Sequence, residues 1–337
     1  MKTIAFLFPG QGAQYPGMGL DLFEASPEAK KIFDTAGTVL GRDMVSLLRD
    51  SDAETLKRTD VSQIALSAAS LAAAACLKER GITPAACAGF SLGEYPALVC
   101  AGVISVKDCF RLTEERGRAM QAAVDRIMEE SGGAVCSGGE SGAPGMAAVI
   151  GLAPQQVEAL IAEWKSGGLS GLYAANINSP KQVVVSGSAA ALAEAETRFM
   201  EAGARRFIRL QVAGPFHSPF MKEAAEAFAP TLEQIQFNDP AINLFSNVTG
   251  KIIQSGAEAK ALALRQITEG VRWTDEEAAI QQSCTGLEAC LEVGPGNVLQ
   301  GLWRDAGSEI PCYAAGTVSD IENVSTNTNT PALEIKS

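Results

Sequence analysis

The sequence predicts an α/β protein in which a small inserted subdomain interrupts a larger domain. Short apolar segments typical of buried parallel strands alternate with helical segments over most of the 337 residues. Residues 146–212 follow a different order, β-α-β-β-α-β, which is that of a ferredoxin-like unit. The predicted boundaries are a core of residues 1–135 and 213–318, a small subdomain of 145–212, a Gly/Ser-rich loop of 129–145 and a disordered tail of 319–337.

Hydrophobic periodicity predicts the individual elements. Before the insert these are strands over 3–8 and 85–90, a glycine-rich turn over 9–14, and helices over 27–40, 61–80, 92–100 and 106–130. Pro96 does not forbid the third helix, because it falls in the first turn, where N–H groups have no acceptor within the helix.

The elements of the insert and of the second half of the core are predicted in the same way. In the insert, strands cover 146–152, 173–177, 182–186 and 207–212, and helices cover 154–165 and 189–202. After Pro215, helices cover 218–234, 260–267 and 274–284, strands cover 242–246 and 289–293, and a last helix starts near 297.

Composition excludes several classes of function. The 39 acidic and 27 basic side chains give a net charge of −12, which argues against a nucleic-acid-binding protein. A single histidine excludes a multi-histidine metal site, and eight cysteines without a C-x-x-C pair disfavour zinc ribbons and thioredoxin-type redox centres. The N-terminal apolar run is too short for a signal peptide, and the alanine-rich run of 64–77 falls short of the ~20 residues of a membrane span. A cytoplasmic protein with reduced thiols, bound to no membrane, is therefore predicted.

The segment Gly-Phe-Ser-Leu-Gly, residues 89–93, predicts a serine nucleophile at Ser91. In a nucleophile elbow the serine occupies a tight strand-to-helix turn, and the N–H of the next residue, here Leu92, faces the developing oxyanion. The alternative is a serine that caps an ordinary helix. The apolar strand before Ser91 and the helix after it favour the nucleophile.

A serine nucleophile needs a base, and His217 is the only histidine. It follows Gly-Pro-Phe in a predicted loop, where a base can be directed at Ser91, although a histidine that only packs is the alternative. Arg116, in the helix after the elbow, fits either a clamp for a substrate carboxylate or a surface ion pair, and its spacing leaves both open. The turn around Gln11 lacks a P-loop lysine and can bring backbone donors to the carboxyl end of the first strand.

Together these segments resemble the malonyl-CoA:acyl carrier protein transacylase family. The resemblance runs from about Thr3 to Val318. It rests on FPGQGAQ at 8–14, GFSLGEYPALVCAGV at 89–103, RGRAMQ at 116–121, MAAVIGL at 146–152, NINSPKQVVVSG at 176–187, GPFHSPFM at 214–221 and EVGPGNVLQGL at 292–302.

The resemblance implies an α/β-hydrolase-like larger domain with the ferredoxin-like insert. It also implies that Ser91 is the nucleophile and His217 its base, oriented by a backbone carbonyl at Gln266 rather than by an aspartate. The backbone N–H groups of Gln11 and Leu92 then form the oxyanion hole.

The implied acyl pocket contains Arg116 as the carboxylate clamp, with Phe216 and Asn176 as further substrate-facing residues. Three departures from the family pattern are visible: Phe90 stands where histidine is usual, Pro96 replaces a small residue, and the loop of 129–145 is longer. The change at Phe90 bears on which acyl group is preferred, not on the mechanism.

The implied reaction moves a malonyl group from malonyl-CoA to Ser91 and then to the phosphopantetheine thiol of acyl carrier protein, with no metal or redox cofactor. A monomer is expected. Three alternatives remain: an acyltransferase that loads polyketide carrier domains, a serine thioesterase, and a non-catalytic carrier-binding module. A thioesterase would have an acidic partner for His217 and no arginine in its acyl pocket.

Coenzyme A and acyl carrier protein are both anionic, whereas this chain carries −12. Positive charge must therefore be concentrated locally. The candidate carrier-binding residues are Arg205, Arg206, Arg209, Lys181 and Lys222.

Overall fold

The computed structural model describes residues 3–131, 142–212 and 214–329, so most of the predicted loop of 129–145 lies outside the described residues. The strands are β1 (Thr3–Phe8), β2 (Ala86–Gly89), β3 (Gly145–Ile150), β4 (Leu172–Ser179), β5 (Gln182–Gly187), β6 (Arg206–Arg209), β7 (Asn243–Leu244), β8 (Leu287–Glu292) and β9 (Cys312–Ala314). The α-helices are α1 (Leu20–Ala25), α2 (Pro27–Leu40), α3 (Met44–Asp50), α4 (Ala53–Lys57), α5 (Thr59–Glu79), α6 (Glu94–Cys100), α7 (Val106–Glu130), α8 (Pro154–Ser166), α9 (Ala189–Glu201), α10 (Lys222–Gln234), α11 (Gly256–Arg265), α12 (Trp273–Ser283), α13 (Val298–Asp305) and α14 (Val318–Asn329).

The larger unit is built on a parallel sheet of order β7-β2-β1-β8-β9. Both faces of β1 are buried, since Phe6 and Phe8 belong to one apolar cluster and Ala5 and Leu7 to another. Helices cover both faces, which explains why β1 reads as an unbroken apolar run rather than an alternating one.

The register of β1 against β2 determines where the loops of the site emerge. Phe8 lies opposite Gly89, so the turn after β1 and the turn after β2 leave the sheet at the same edge. A side chain at Gly10 would place its Cβ only 2.4 Å from the carbonyl oxygen of Phe90. Glycine at position 10 therefore allows the two turns to lie in contact.

Among the described residues one helix, α5, is long and apolar enough to cross a membrane by length and composition alone. In this structure it packs between other elements of the larger unit, and 16 of its 21 residues are buried. An alanine-rich helix surrounded in this way is a central helix of the protein core.

The smaller unit has the predicted order β3-α8-β4-β5-α9-β6, with an antiparallel sheet of order β4-β5-β3-β6. Helices α8 and α9 cover one face, where Trp164 packs against Phe199. The other face contributes Met146, Ala148 and Val184 to the main core of the larger unit.

Backbone hydrogen bonds also connect the two units. The N–H of Ile177, on β4, donates to the carbonyl of Val271 (2.7 Å), and the N–H of Val271 donates to Ala175 (2.8 Å). Beside this bridge, Arg272 forms an ion pair with Glu158 of α8 at 3.1 Å. The smaller unit is thereby attached next to the segment that carries Gln266.

The prediction of a disordered tail from 319 was wrong for residues 319–329, which form most of α14. Thr317 and Asp320 cap the helix reciprocally: Asp320 Oδ2 accepts from the Thr317 N–H (3.0 Å), and Thr317 Oγ1 accepts from the Asp320 N–H (3.1 Å). Ile321 and Val324 are buried against the larger unit. Residues 330–337 lie outside the described residues.

Several other element predictions differ from the structure at their ends. Strand β6 ends at Arg209 rather than 212, and β7 has two residues rather than five. Helices α1, α3 and α4 and strand β9 were not predicted. These elements are three to seven residues long, too short for periodicity to reveal.

Candidate active site

Ser91 lies on a sharp turn between β2 and α6. Its φ is 50°, a left-handed conformation that is unusual for a residue other than glycine. A Cβ at Gly89 would lie 2.0 Å from the carbonyl carbon of Gly93, and one at Gly93 would lie 2.0 Å from the carbonyl oxygen of Phe8. The two glycines of the pentapeptide are therefore sterically required, as in a nucleophile elbow.

His217 is hydrogen-bonded to Ser91. Its Nε2 lies 2.8 Å from Ser91 Oγ, and its Nδ1 lies 2.8 Å from the carbonyl oxygen of Gln266. A carbonyl only accepts, so Nδ1 carries the proton, and the lone pair of Nε2 faces the Ser91 hydroxyl. His217 also has a positive φ, 54°, which makes it and Ser91 the two described non-glycine residues in this conformation.

Burial and the neighbouring Arg116 guanidinium together lower the pKa of His217 to about 4, burial being the larger cause. The hydrogen bond to Gln266 acts in the opposite direction and is outweighed. At neutral pH the imidazole is therefore uncharged and able to accept a proton from Ser91.

Gln266 contributes more than its backbone carbonyl. Its side-chain Nε2 donates to the carbonyl of Ser91 (3.0 Å), and its Oε1 accepts from Arg116 Nη2 (3.0 Å). One residue thus bonds the His217 ring, the backbone of Ser91 and the Arg116 guanidinium.

Arg116 is 1% exposed on α7, and its Nη2 lies 3.3 Å from Ser91 Oγ. Its guanidinium carbon is 5.4 Å from the centre of the Tyr95 ring. The Nε of Arg116 has no hydrogen-bond partner among the described residues. A buried guanidinium with an unused donor beside a serine hydroxyl has the chemistry to bind the carboxylate of an acyl group.

The predicted oxyanion donors lie where the elbow meets the turn after β1. Leu92 is buried in the short 3₁₀ turn of residues 91–93 that leads into α6, where the first N–H groups have no acceptor within the helical turn. Gln11 is in the turn whose Gly10 touches Phe90. The two residues flank the edge of the sheet at which Ser91 stands.

Phe216 and Asn176, the two further residues predicted to face the substrate, have different surroundings from each other. Phe216 precedes the base and is buried, with its carbonyl accepting a hydrogen bond from Ser186 Oγ of β5. Asn176 is buried on β4, at the bridge to Val271, outside the hydrogen bonds that join Ser91, His217 and Arg116. Phe90, next to the nucleophile, packs edge-on against Trp273 at 5.6 Å between ring centres.

Three of the five predicted carrier-binding residues lie together. Arg205 and Arg206 are exposed at the start of β6, and the Arg205 N–H donates to the carbonyl of Ile150 (2.7 Å). Lys181 is exposed in the turn between β4 and β5, and its carbonyl accepts from the N–H of Gly151 (2.8 Å). All three therefore flank the end of β3.

The other two have different surroundings. Arg209 is half-buried, with its guanidinium carbon 5.7 Å from the centre of the Phe207 ring. Lys222 begins α10 in the larger unit and pairs with Glu226 at 3.6 Å. The five cations therefore do not all lie together, and only the three at the end of β3 form a compact group.

Sequence reasoning did not identify Asn247, which is fully buried and accepts a hydrogen bond from the Ser91 N–H (2.6 Å). Its neighbours Glu94 and Glu276 are buried carboxyls, and burial raises the pKa of Glu94 to about 7 and that of Glu276 well above its ordinary value. The available signal was position: Asn247 directly follows the predicted strand of 242–246, and the parallel pairing of β7 with β2 brings it to the same sheet edge as Ser91.

Among the described residues, no group of three or more His, Cys, Asp or Glu side chains is arranged to hold a metal ion. The seven cysteines in this part of the chain are free thiols. The absence of a cofactor requirement stays a prediction.

Comparison with known proteins gives a consistent result. A family model described as the acyl transferase domain matches residues 5–333. A malonyl CoA-acyl carrier protein transacylase from Bacillus subtilis is 38% identical over 327 residues, 96% of this chain and 96% of that protein.

Two solved structures have similar folds. An acyl carrier protein S-malonyltransferase from Vibrio cholerae matches with a TM-score of 0.84 and 36% identity, over 96% of this chain and 100% of that one. A malonyl-transacylase in complex with its type II polyketide-synthase acyl carrier protein matches with a TM-score of 0.85 and 36% identity, over 97% of this chain and 100% of that one. Sequence and fold are therefore similar to these enzymes along nearly the whole chain.

Proposed function

This chain belongs to the acyl transferase family of malonyl CoA-acyl carrier protein transacylases, and on that premise we propose that Ser91 carries the malonyl group between malonyl-CoA and acyl carrier protein. The chain is an acyltransferase of fatty-acid synthesis. The observation that carries the serine mechanism is the hydrogen-bonded series Ser91 Oγ, His217 and the Gln266 carbonyl, with both links at 2.8 Å.

In the first half-reaction the malonyl group moves to the enzyme. Nε2 of His217 takes the Ser91 proton as Oγ attacks the thioester carbonyl, and the N–H groups of Leu92 and Gln11 bind the oxyanion. The C–S bond then breaks, and the proton on His217 goes to the leaving thiolate of coenzyme A. Arg116 binds the free carboxylate of the malonyl group throughout.

In the second half-reaction the direction is reversed. His217 takes the proton of the phosphopantetheine thiol, the sulfur attacks the malonyl-serine ester, and Ser91 leaves with the proton from His217. The energy of the thioester is conserved, because one thioester is exchanged for another and no outside reactant is needed.

The experiment that tests this proposal is an intact-mass measurement. Malonyl-CoA alone is expected to add one malonyl group to the enzyme, and holo-acyl carrier protein is expected to remove it and become malonylated. Competition between malonyl-CoA and methylmalonyl-CoA in the same experiment measures which acyl group this site, with Phe90 beside Ser91, prefers. An enzyme that releases coenzyme A rapidly without any acceptor thiol would be a thioesterase instead.

The histidine environment bears on that alternative. A serine thioesterase predicts a carboxylate partner for His217, whereas Nδ1 faces the backbone carbonyl of Gln266. A buried Arg116 at 3.3 Å from Ser91 Oγ also belongs to a site for acidic acyl groups rather than for neutral ones. The intact nucleophile–base pair does not favour a non-catalytic carrier-binding module.

We extend the proposal to the finer description of the fold. The parallel sheet with an elbow after β2 supports an α/β-hydrolase-like larger domain. The order β4-β5-β3-β6 in an antiparallel sheet supports a ferredoxin-like smaller subdomain. We also propose a cytoplasmic, monomeric enzyme, for which free thiols at the described cysteines support a reducing compartment.

The Arg116→Ala variant is expected to lose specificity for malonyl groups. A buried ion pair that loses one partner costs about 3–5 kcal/mol, so kcat/KM for malonyl-CoA is expected to fall by roughly 10²–10⁴. Acetyl-CoA has no carboxylate to pair, so its transfer is expected to change less than about tenfold, through the lost contact of Arg116 with Gln266. The measurement is the kcat/KM for transfer from malonyl-CoA and from acetyl-CoA to holo-acyl carrier protein, and the ratio of these two values gives the specificity.

Arg118→Ala is the matched control, because Arg118 lies on the same helix but is exposed and pairs with Glu115. It is expected to leave both rates unchanged. Equal losses with malonyl-CoA and acetyl-CoA in Arg116→Ala would contradict the carboxylate clamp.

We propose the exposed cations at the end of β3, namely Arg205, Arg206 and Lys181, as the compact part of a carrier-docking surface. Reversing the charge of Arg205 and Arg206 together (Arg205→Glu, Arg206→Glu) is expected to raise the KM for holo-acyl carrier protein about tenfold at low salt, and less at high salt. The rate of Ser91 acylation by malonyl-CoA is measured separately. Lys165→Glu, at the far end of α8, is the control.

An unchanged KM for the carrier would contradict this surface. The complex of a similar transacylase with a polyketide carrier makes polyketide carrier proteins a second candidate partner. Parallel assays with a fatty-acid and a polyketide carrier decide between them through their kcat/KM values.

A further inference from the structure

Both backbone polar groups of Ser91 are bonded by buried side-chain amides. The N–H of Ser91 donates to Asn247 Oδ1 at 2.6 Å, and the carbonyl of Ser91 accepts from Gln266 Nε2 at 3.0 Å. Gln266 Nε2 is also 3.3 Å from Asn247 Oδ1, so the two amides contact each other. The residue with a strained φ of 50° is thereby bonded from both sides.

The orientation of the Asn247 amide is fixed by its other partners. Its Nδ2 donates to the carbonyl of Gly89 (2.6 Å) and to Glu276 Oε1 (2.8 Å). Its own backbone N–H donates to Glu94 Oε2 (2.9 Å). Since Nδ2 already faces two acceptors, only Oδ1 is available to face the Ser91 N–H.

We propose that Asn247 is a positioning residue for acyl transfer, which holds the backbone of Ser91 in the left-handed conformation that directs Oγ at His217; this inference rests on the function proposed above. The side chain bonds the carbonyl of Gly89 and the N–H of Ser91, and so spans Phe90 at the top of the elbow. Asn247 does not touch the substrate and acts through Ser91.

The consequence of losing this bond follows from the geometry of the turn. A rotation at Ser91 would move Oγ away from Nε2 of His217, now at 2.8 Å, and would also turn the next N–H, that of Leu92, away from the oxyanion. Misplacement of a reacting atom by about 1 Å can cost about 10²-fold in rate. Malonyl-CoA binding depends on Arg116 and is not expected to change.

Asn247→Leu tests the proposal, because leucine fills a similar volume and makes no hydrogen bond. The rate constant of Ser91 malonylation is expected to fall about 10- to 100-fold, with KM changed less than about threefold. Inactivation by a small fluorophosphonate, which reacts with Ser91 but has no malonyl carboxylate, is expected to slow by the same factor. A role confined to stability would lower the melting temperature without this matched loss of Ser91 reactivity.

Asn243→Leu is the matched control. Asn243 lies four residues earlier, on β7, is partly buried, and its side chain contacts Cys284 Sγ at 4.0 Å rather than the site. Both rate constants are expected to stay at the wild-type value. A second control compares malonyl-CoA dissociation constants of Ser91→Ala with and without Asn247→Leu, which are expected to agree.

Asn247→Asp keeps the proposal testable should the leucine variant fail to fold. A protonated carboxyl at this position preserves the acceptor for Ser91 and one donor, whereas an ionised one faces the carboxyls of Glu94 and Glu276 and the carbonyl of Gly89. The positive Arg116 bonds Gln266, and Gln266 in turn bonds the side chain at position 247, so Arg116 has no direct hydrogen bond with position 247. Malonylation relative to wild type at each pH is therefore expected to fall as pH rises.

The outcomes separate the two proposals. Wild-type protein that acquires no malonyl group on Ser91 overturns the proposed function. Wild-type protein that is malonylated, with Asn247→Leu reacting at the same rate, overturns the positioning role. For Asn247→Asp, a malonylation rate that stays at the same fraction of the wild-type rate at every pH likewise overturns the positioning role.

Discussion

The Ser91→Ala protein is expected to acquire no malonyl group from malonyl-CoA and to transfer none to the carrier. In the proposed mechanism His217 activates the Ser91 hydroxyl, which lies 2.8 Å from its Nε2, and alanine at this position has no atom that can form the ester. Where a serine hydrolase loses the nucleophile of its catalytic unit, kcat falls by about 10⁶, and a loss of that order is expected here. This is the largest effect predicted for a single substitution in this chain.

Intact-mass spectrometry of the protein after addition of malonyl-CoA measures the result directly. Ser166→Ala is the control, since Ser166 is exposed and its hydroxyl only bonds the carbonyl of Ala162 in its own helix. A malonyl adduct that persists in Ser91→Ala would assign the nucleophile to another residue.

Binding should survive the same substitution. Arg116 keeps its contact with Gln266, so the carboxylate of malonyl-CoA still has a buried guanidinium to pair with. The dissociation constant of a non-reacting malonyl-CoA analogue is therefore expected to agree within about threefold between Ser91→Ala and the wild-type enzyme. A variant that neither binds nor reacts would indicate a disturbed elbow rather than a missing hydroxyl.

The part of the site that the sequence predicted is the part that local sterics dictate. Glycine is required at positions 89 and 93 because a Cβ at either position would lie 2.0 Å from a backbone atom. This steric requirement can therefore be recognised from five consecutive residues. The single histidine left no competitor for the base. The strands of the core were predictable for a similar reason, since burial on both faces leaves an unbroken apolar run such as that of β1.

What the sequence did not predict depends on contacts between distant residues. Asn247 bonds a residue 156 positions away, and Glu276 reaches it from α12. An asparagine in a short polar segment is ordinarily a turn residue, and only the packing of β7 beside β2 brings it to Ser91. The cap formed by Thr317 and Asp320 shows the opposite case, a local signal for α14 that was present in the sequence and not used.

His217→Ala is expected to slow malonylation of Ser91 by roughly 10²–10⁴, the usual cost of losing a general base. The Ser91 hydroxyl would lose its proton acceptor, Nε2 of His217, while Arg116 and the elbow remain in place. Stopped-flow release of coenzyme A measures the acylation rate, and malonyl-CoA binding is expected to be retained. Added imidazole is expected to restore part of the rate by occupying the space of the missing ring.

The pH dependence of the wild-type reaction tests the state of the same histidine. Only neutral His217 can accept the Ser91 proton, so the rate should fall as pH decreases through the pKa of the imidazole. Burial and Arg116 lower that pKa to about 4, which places the fall well below the value of 6.5 for an exposed histidine. The kcat/KM for malonylation is therefore expected to be level from about pH 6 upward and to drop near pH 4, and His217→Ala is expected to lack this step. A fall centred near 6.5 would mean that the ring is solvated in the working enzyme, because water would then stabilise the charged imidazolium that burial here opposes.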